Sequence, residues 1–290
     1  MFVIMGATGH VGRAAANALL AGGHAVTILT RRPDKAHGWQ EKGARVLEAD
    51  AEDVSSMRVA FRTGRRAFLL NPPAAPDTDT DETEVRTARN IVEAVRDSGL
   101  EKVVAASTYG ARPGRGVGDL TTLWELEAGL QELAIPAAIN RGAFYMSNWI
   151  AQAAVVRKTG KLPSMFPADA ALPMVAPDDL GEQAAARLLS PVDDVSLRYV
   201  EGPARYTPLD IANAFSAAMK RVVEVDVVPR SEWETAYRRL GFSEEAARAY
   251  TKMTAASLDE GFFTPRAFIR GSTTLKEFVE RSLSGQIRKA

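Results

Sequence analysis

Residues 1–12 read Met1-Phe2-Val3-Ile4-Met5-Gly6-Ala7-Thr8-Gly9-His10-Val11-Gly12, an apolar run that breaks on glycine and returns to glycine twice in the turn that follows. The run predicts a strand over Phe2–Met5, and the stretch Arg13–Leu20, stopped by Gly22-Gly23, predicts a helix. Each glycine has its own use. One permits the tight turn, one lets the backbone approach a pyrophosphate, and one lets the helix pack closely on the strand; free N–H groups at the helix start attract phosphate. A glycine triplet alone is a weak signal. Here the strand, the turn, the helix and a second strand over Ala25–Thr30 supply the context the motif requires. The plain alternative is a tight turn without a ligand, with His10 a partly exposed turn residue.

The second strand ends on Thr30-Arg31-Arg32. In dinucleotide folds a carboxylate near that point holds the ribose 2′-hydroxyl of NAD, whereas arginine accommodates the 2′-phosphate of NADP. Arg31 and Arg32 therefore point to NADP(H), with NAD(H) as second candidate and a pair of solvated helix-leading charges as the alternative. Asp50, after a third strand over Arg45–Glu48, suits either an adenine amino group or the N-cap of the next helix.

Further strands are expected over Ala67–Asn71, Lys102–Ala106 and Ala137–Asn140, with a helix over Glu82–Asp97 whose Val85, Ala88, Ile91, Val92 and Val95 share one face. This alternation implies βαβ units: an α/β fold with a Rossmann-type doubly wound, mostly parallel sheet. After Arg141 helical stretches dominate and strands become few. The expected division is an NAD(P)-binding domain over 1–150, its sheet completed by a strand near 197–202, and a smaller C-terminal α/β substrate lobe over 151–290. Pro163, Pro167, Pro173 and Pro177 suggest a loop over a cleft. Thr207-Pro208 reads as a helix start, and Ser231 and Ser243 as N-caps, Ser231-Glu232-Trp233-Glu234 having capping-box spacing. The end, around Gly285–Ala290, is expected to fray.

With 290 residues, 46% of them hydrophobic, the chain can bury a large core. Its 36 basic residues balance 36 acidic ones, leaving no global field to draw it to nucleic acid or an anionic membrane. The absence of cysteine removes disulfides, thiol nucleophiles and Cys-ligated zinc, and three histidines argue against a metal site. No apolar stretch is long enough to span a bilayer, and the N-terminal run is too short for a signal peptide. The expectation is a cytoplasmic monomer or homodimer whose partner is a small-molecule hydride acceptor, with no direct nucleic-acid or membrane contact.

The Gly6–Gly12 turn, Thr30-Arg31-Arg32, the stretch Asn140-Arg141-Gly142-Ala143-Phe144-Tyr145-Met146-Ser147-Asn148 and the segment Val175-Ala176-Pro177-Asp178-Asp179-Leu180-Gly181 together resemble the NmrA-like branch of the atypical short-chain dehydrogenases, over almost the whole chain. That branch includes type 2 NAD(P)H:quinone oxidoreductases, triphenylmethane-dye reductases, and co-regulators that bind the dinucleotide without turning it over. The resemblance implies that Gly6, Thr8, Gly9, His10, Val11 and Gly12 face the pyrophosphate and that Arg31 and Arg32 face the 2′-phosphate. It places Asp50 and Ala51 by the adenine, Asn71 and Pro72 at the cofactor's middle, and Ser107 with Tyr109 beside the nicotinamide. Phe144, Tyr145 and Asn148 would border the substrate cleft.

Ketone-reducing short-chain dehydrogenases use a Tyr-x-x-x-Lys pair to protonate the alkoxide. Where related chains place it, this chain reads Thr122-Leu123-Trp124-Glu125-Leu126-Glu127-Ala128-Gly129, with Trp124 and Ala128 at the two positions. Ordinary ketone chemistry is therefore not expected. A quinone or a cationic dye takes hydride without a dedicated acid, so the protein need only hold donor and acceptor together and exclude water. Apolar candidates for such a pocket are Phe144, Tyr145, Trp149, Met165, Phe166, Met174, Phe262 and Phe263, with core packing the alternative for each. Tyr109 and Ser107 are the candidate catalytic hydroxyls, as hydrogen-bond donors to a substrate oxygen, and Glu125 and Glu127 read as a solvated helix face. The expected function is NADPH-dependent reduction of a quinone or similarly conjugated molecule; the alternative is a non-catalytic NADP(H)-binding redox sensor.

Overall fold

The structure, a computed structural model, describes residues 1–261 and 265–287. The first half runs β1 (Phe2–Ile4), α1 (His10–Ala21), β2 (Val26–Thr30), α2 (His37–Glu41), β3 (Arg45–Glu48), α3 (Val54–Phe61), β4 (Arg66–Leu69), α4 (Thr80–Val95), β5 (Lys102–Thr108), α5 (Asp119–Gln131) and β6 (Ala137–Gly142). Short elements follow: β7 (Phe144–Tyr145), α6 (Ser147–Ile150), α7 (Ala153–Thr159), β8 (Lys161–Ser164), β9 (Leu172–Val175), α8 (Pro177–Leu189), β10 (Leu197–Glu201) and β11 (Arg205–Tyr206). The chain continues through α9 (Pro208–Met219), β12 (Glu224–Val227), α10 (Trp233–Arg239), α11 (Glu244–Asp259), β13 (Ile269–Arg270) and α12 (Leu275–Ile287).

Eight strands form one parallel sheet in the order β13-β10-β6-β5-β4-β1-β2-β3. The chain steps outward from β1 through β2 and β3 on one side and through β4, β5 and β6 on the other. The order therefore reverses at β1, which opens a crevice at the C-terminal strand ends. Both faces of the sheet are covered, which is why its strands read as apolar runs. Ile4, Ile28, Phe68 and Val104 pack under α1 and α8, while Val3, Leu29, Leu69 and Val103 pack under α3, α4 and α5. A third core, around Met146, Trp149, Phe166, Met174, Phe215 and Phe278, fills the lobe built on β7, β9, β11, α9 and α12.

Seven of the eight strands in that sheet lie within two residues of their expected bounds, and β13 was not expected. The sequence-based expectations fail in identifiable places. Among the described residues the second half contains seven short strands, β7 to β13, rather than few, because pieces of two to five residues carry no readable alternation. Pro163 and Pro173 sit within two of them, β8 and β9, and Pro177 opens α8, so the span is not one loop. Helix α4 begins at Thr80, capped by Asp79, whose carboxylate accepts from the Glu82 amide at 3.0 Å. Thr207 caps α9 in a full capping box with Asp210, and Ser243 caps α11, accepting from the Ala246 amide at 3.0 Å. Ser231 caps nothing: it lies in a short 3-10 turn, and α10 starts at Trp233, whose indole is buried and donates to the Val228 carbonyl at 3.0 Å. Burying that ring fixes the helix start more firmly than a serine cap could.

Candidate functional site

The site begins at the end of β1. Gly6 takes φ +66° there, the left-handed region that favours glycine, and the Gly9 amide closes the turn by donating to the Gly6 carbonyl at 2.9 Å. Gly9 is the N-cap of α1 and no side chain caps the helix, which leaves its first amides for a ligand. At Gly12 a Cβ would meet the Gly6 carbonyl at 2.5 Å, so α1 packs on the strand end only with glycine there. Thr8, Gly9 and His10 are exposed; Val11 is buried, so only its backbone can face a phosphate. His10 begins α1 rather than ending the turn.

The neighbouring strand ends carry the other candidates. Arg31 and Arg32, just past β2, are both exposed. Arg32 is bound to Asp34, with Nε to Oδ1 and Nη2 to Oδ2 both at 3.3 Å, whereas Arg31 has no hydrogen bond or ion pair among the described residues. Asp50 is half-buried and accepts from the Glu52 amide at 3.0 Å; the N-cap of α3 is Asp53, not Asp50, because the backbone turns once more before the helix starts. Ala51 is buried and its carbonyl accepts from Asn90 at 3.0 Å. The Asn71 amide donates to the Glu84 carbonyl at 2.9 Å and accepts from Thr87 at 2.8 Å, so its side chain fastens α4 to the end of β4. Pro72 is half-buried beside it.

At the end of β5 the structure departs most from the sequence reading. Glu127 is not on a solvated helix face: it is 1% exposed and receives both Nε (2.9 Å) and Nη2 (2.7 Å) of Arg141 from β6. The Ser107 hydroxyl donates to the same carboxylate. Tyr109 repeats the arrangement two residues on. Its hydroxyl donates to Glu201 Oε1 at 3.3 Å, and Arg205 reaches that oxygen at 3.3 Å. Burial, then the Glu201 charge, pushes the Tyr109 phenol above its ordinary range. Arg141 further reaches the Tyr199 hydroxyl at 3.3 Å and lies over the Trp124 ring. Glu127, Arg141, Glu201 and Arg205 were missed as members of this network. One signal existed for Glu127: it falls on the helical stripe of Leu120, Leu123 and Leu130.

A set of carboxylates gathers at the starts of α4 and α5. Glu84 accepts from the Ala74 amide at 3.0 Å and from Thr122 at 3.1 Å, yet burial, then Asp119, pushes it up to about 7. Burial, then Asp81, pushes Asp119 up to about 6. Tyr145 of β7 is raised by burial, then by the Asp119 carboxyl. No group of histidine, cysteine and acidic side chains able to hold a metal occurs among the described residues.

In the lobe, the Phe144 ring meets Phe166 edge-on at 5.6 Å and Trp149 at 6.0 Å. Trp149, Phe166 and Met174 are buried in the lobe core, Phe144, Tyr145 and Met165 are half-buried, and Asn148 is exposed. Phe262 and Phe263 lie outside the described residues. The glycine turn, Arg31, Asp50, Asn71 and Ser107 thus all sit at the C-terminal edge of one parallel sheet. Uncapped amides at α1 and an unpaired guanidinium beside them fit the phosphates of a dinucleotide.

A switch-point crevice with a glycine turn on a parallel sheet, joined to a smaller lobe, defines a Rossmann-type dinucleotide-binding protein. The chain belongs to the NmrA-like family, whose model matches residues 1–285. It is 26% identical over 97% of its length to a nitrogen metabolite regulation-like protein of Gibberella fujikuroi, 96% of which is covered. It is 22% identical over 88% of its length to an NAD(P)H azoreductase of Xenophilus azovorans, 86% of which is covered. Among solved structures it resembles the NADPH-dependent quinone oxidoreductase of Escherichia coli complexed with NADPH, with a TM-score of 0.80 at 19% identity, covering 98% of this chain and 100% of that one. Among the described residues no helix is long and apolar enough to cross a membrane.

Proposed function

We propose that this chain is an NADPH-dependent reductase acting on a quinone or a similarly conjugated small molecule. One observation carries the reading: both hydroxyls at the end of β5 donate inward, Ser107 to Glu127 and Tyr109 to Glu201, and each carboxylate is held by an arginine. Their protons are already committed, so neither suits protonating a ketone-derived alkoxide. The amides opening α1 and the Arg31 guanidinium would hold the phosphates of NADPH, and its nicotinamide supplies the hydride. With a quinone as acceptor, the reduced anion is delocalised and takes its proton from water, so that quinone, NADPH and a proton give hydroquinone and NADP+. What remains for the protein is positioning and exclusion of water. The quinone oxidoreductase and azoreductase relatives support an acceptor of this conjugated kind.

The regulation-like relative favours a second reading, a protein that binds NADP(H) and reports its redox state without turnover. Following NADPH absorbance with purified protein and a panel of benzoquinones separates the two. Turnover supports the reductase; tight NADPH binding with no oxidation across the panel overturns it in favour of the sensor.

A further inference from the structure

Ser107 lies one residue before the end of β5, and β5 is the second strand over from β1, separated from it only by β4. With adjacent strands about 4.8 Å apart, its hydroxyl is roughly 10 Å along the sheet edge from the glycine turn. Arg31 marks the opposite side, past β2. A dinucleotide whose pyrophosphate rests on the glycine turn and whose adenosine reaches toward Arg31 must send its nicotinamide half over β4 toward Ser107.

A hydroxyl has one proton and two lone-pair positions, and an ionised carboxylate can only accept. Glu127 is gripped at two nitrogens by Arg141, so the proton between Glu127 and Ser107 comes from the serine. Ser107 is only 2% exposed, so a ligand can meet no more of it than a lone pair of its hydroxyl at the sheet edge. We propose that Glu127, fixed by Arg141, is a positioning residue that turns Ser107 into a hydrogen-bond acceptor for the carboxamide N–H of the nicotinamide. This rests on the dinucleotide reading of the site and not on turnover. The carboxamide NH2 is the donor on the reactive ring, so the contact would orient that ring over the end of β5.

Replacing Glu127 by glutamine disrupts this arrangement, because Ser107 and the Arg141 Nε share the oxygen Oε1. In either orientation the new NH2 meets an Arg141 N–H, so Ser107 is no longer held as an acceptor. A readout follows from an analogue of NADP+ in which an acetyl group replaces the carboxamide, keeping the carbonyl and losing the N–H. Calorimetry with both nucleotides gives an affinity ratio that general destabilisation does not move. The wild-type chain should prefer NADP+ by about two- to tenfold, the worth of one neutral hydrogen bond. Ser107→Ala should bring the ratio close to one, Ser107→Thr should keep it, and Glu127→Gln should bring it down toward one. An equal ratio in wild type and Ser107→Ala, or a wild-type ratio in Glu127→Gln, overturns the inference. Should Glu127→Gln not fold, the two serine variants still decide whether Ser107 accepts from the carboxamide. A chain that reduces no quinone but shows these ratios refutes the reductase and leaves this inference standing.

Discussion

The Tyr109 hydroxyl and the Glu201 carboxylate meet at 3.3 Å in the buried end of β5, with the Tyr199 ring edge-on to Tyr109 at 5.1 Å. A phenol in that setting stays protonated across the working pH range, because losing its proton would put two negative charges side by side out of water. Tyr109→Phe should therefore leave kcat/KM for a benzoquinone within about threefold and its pH profile from 6 to 9 unmoved. Unfolding should show the loss of one hydrogen bond, about 1 kcal/mol. Steady-state kinetics beside a thermal melt checks both, and a hundredfold loss of kcat at unchanged stability would return Tyr109 to the chemistry.

Arg31 and Arg32 are adjacent in sequence but differ in what they can give a ligand. Arg32 is shared with Asp34 and Arg31 is not. Arg31→Ala should weaken NADPH binding by about 1.5–3 kcal/mol, the range for a charged hydrogen bond, and leave NADH nearly unchanged. Arg32→Ala should lose less, and Asp34→Ala, by releasing Arg32, should tighten NADPH binding. Isothermal titration with both nucleotides decides, and equal losses for NADPH and NADH in Arg31→Ala would remove the phosphate assignment.

Glu84 and Asp119 make the stability of the fold depend on pH in a stated direction. Each carboxyl holds its proton more tightly folded than unfolded: Glu84 up to about 7 from 4.5, Asp119 up to about 6 from 3.8. Between those values the folded chain binds more protons than the unfolded one, so the contribution is fully present below pH 4 and is lost as pH rises through 6 and 7. At about 1.4 kcal/mol for each unit of pH, the two together are worth at most about 6 kcal/mol. Denaturant melts from pH 5 to 8 should show stability falling on this account, and Glu84→Gln, which cannot ionise, should flatten the slope. A Glu84→Gln chain with the wild-type slope would assign the pH dependence elsewhere.

The glycine turn was legible because its whole logic lies within twelve residues, and the sheet because strands buried on both faces read as apolar runs. The hydroxyl network was not, since its partners are distant: Ser107 and Glu127 are 20 residues apart, Tyr109 and Glu201 92. Charge alone placed Glu127 in solvent; only its position on the Leu120–Leu130 stripe hinted that it turns inward to Arg141. Trp149, Phe166 and Met174 illustrate the converse limit, since an aromatic or methionine side chain reads the same in sequence whether it lines a cleft or fills a core.

Gly9 and Gly12 should separate binding from folding. At Gly12 a Cβ would run into the Gly6 carbonyl, backbone that cannot swing aside, so Gly12→Ala forces α1 off the end of β1. Overpacking of that kind costs about 1–3 kcal/mol, and the displaced amides should lose NADPH and NADH alike. At Gly9, φ is −92°, a conformation any residue adopts, and the nearest atom to a new Cβ is the Gly6 oxygen at 3.3 Å. The Gly9→Ala methyl asks that oxygen to give by a few tenths of an ångström, a far smaller demand than at Gly12, and it stands in front of the exposed amides where a pyrophosphate must lie. It should lower the melting temperature by less than Gly12→Ala does, while weakening both nucleotides by tenfold or more. Melting curves with and without nucleotide test the pair. A Gly9→Ala chain that binds NADPH like the wild type would mean that the phosphates do not rest on this turn.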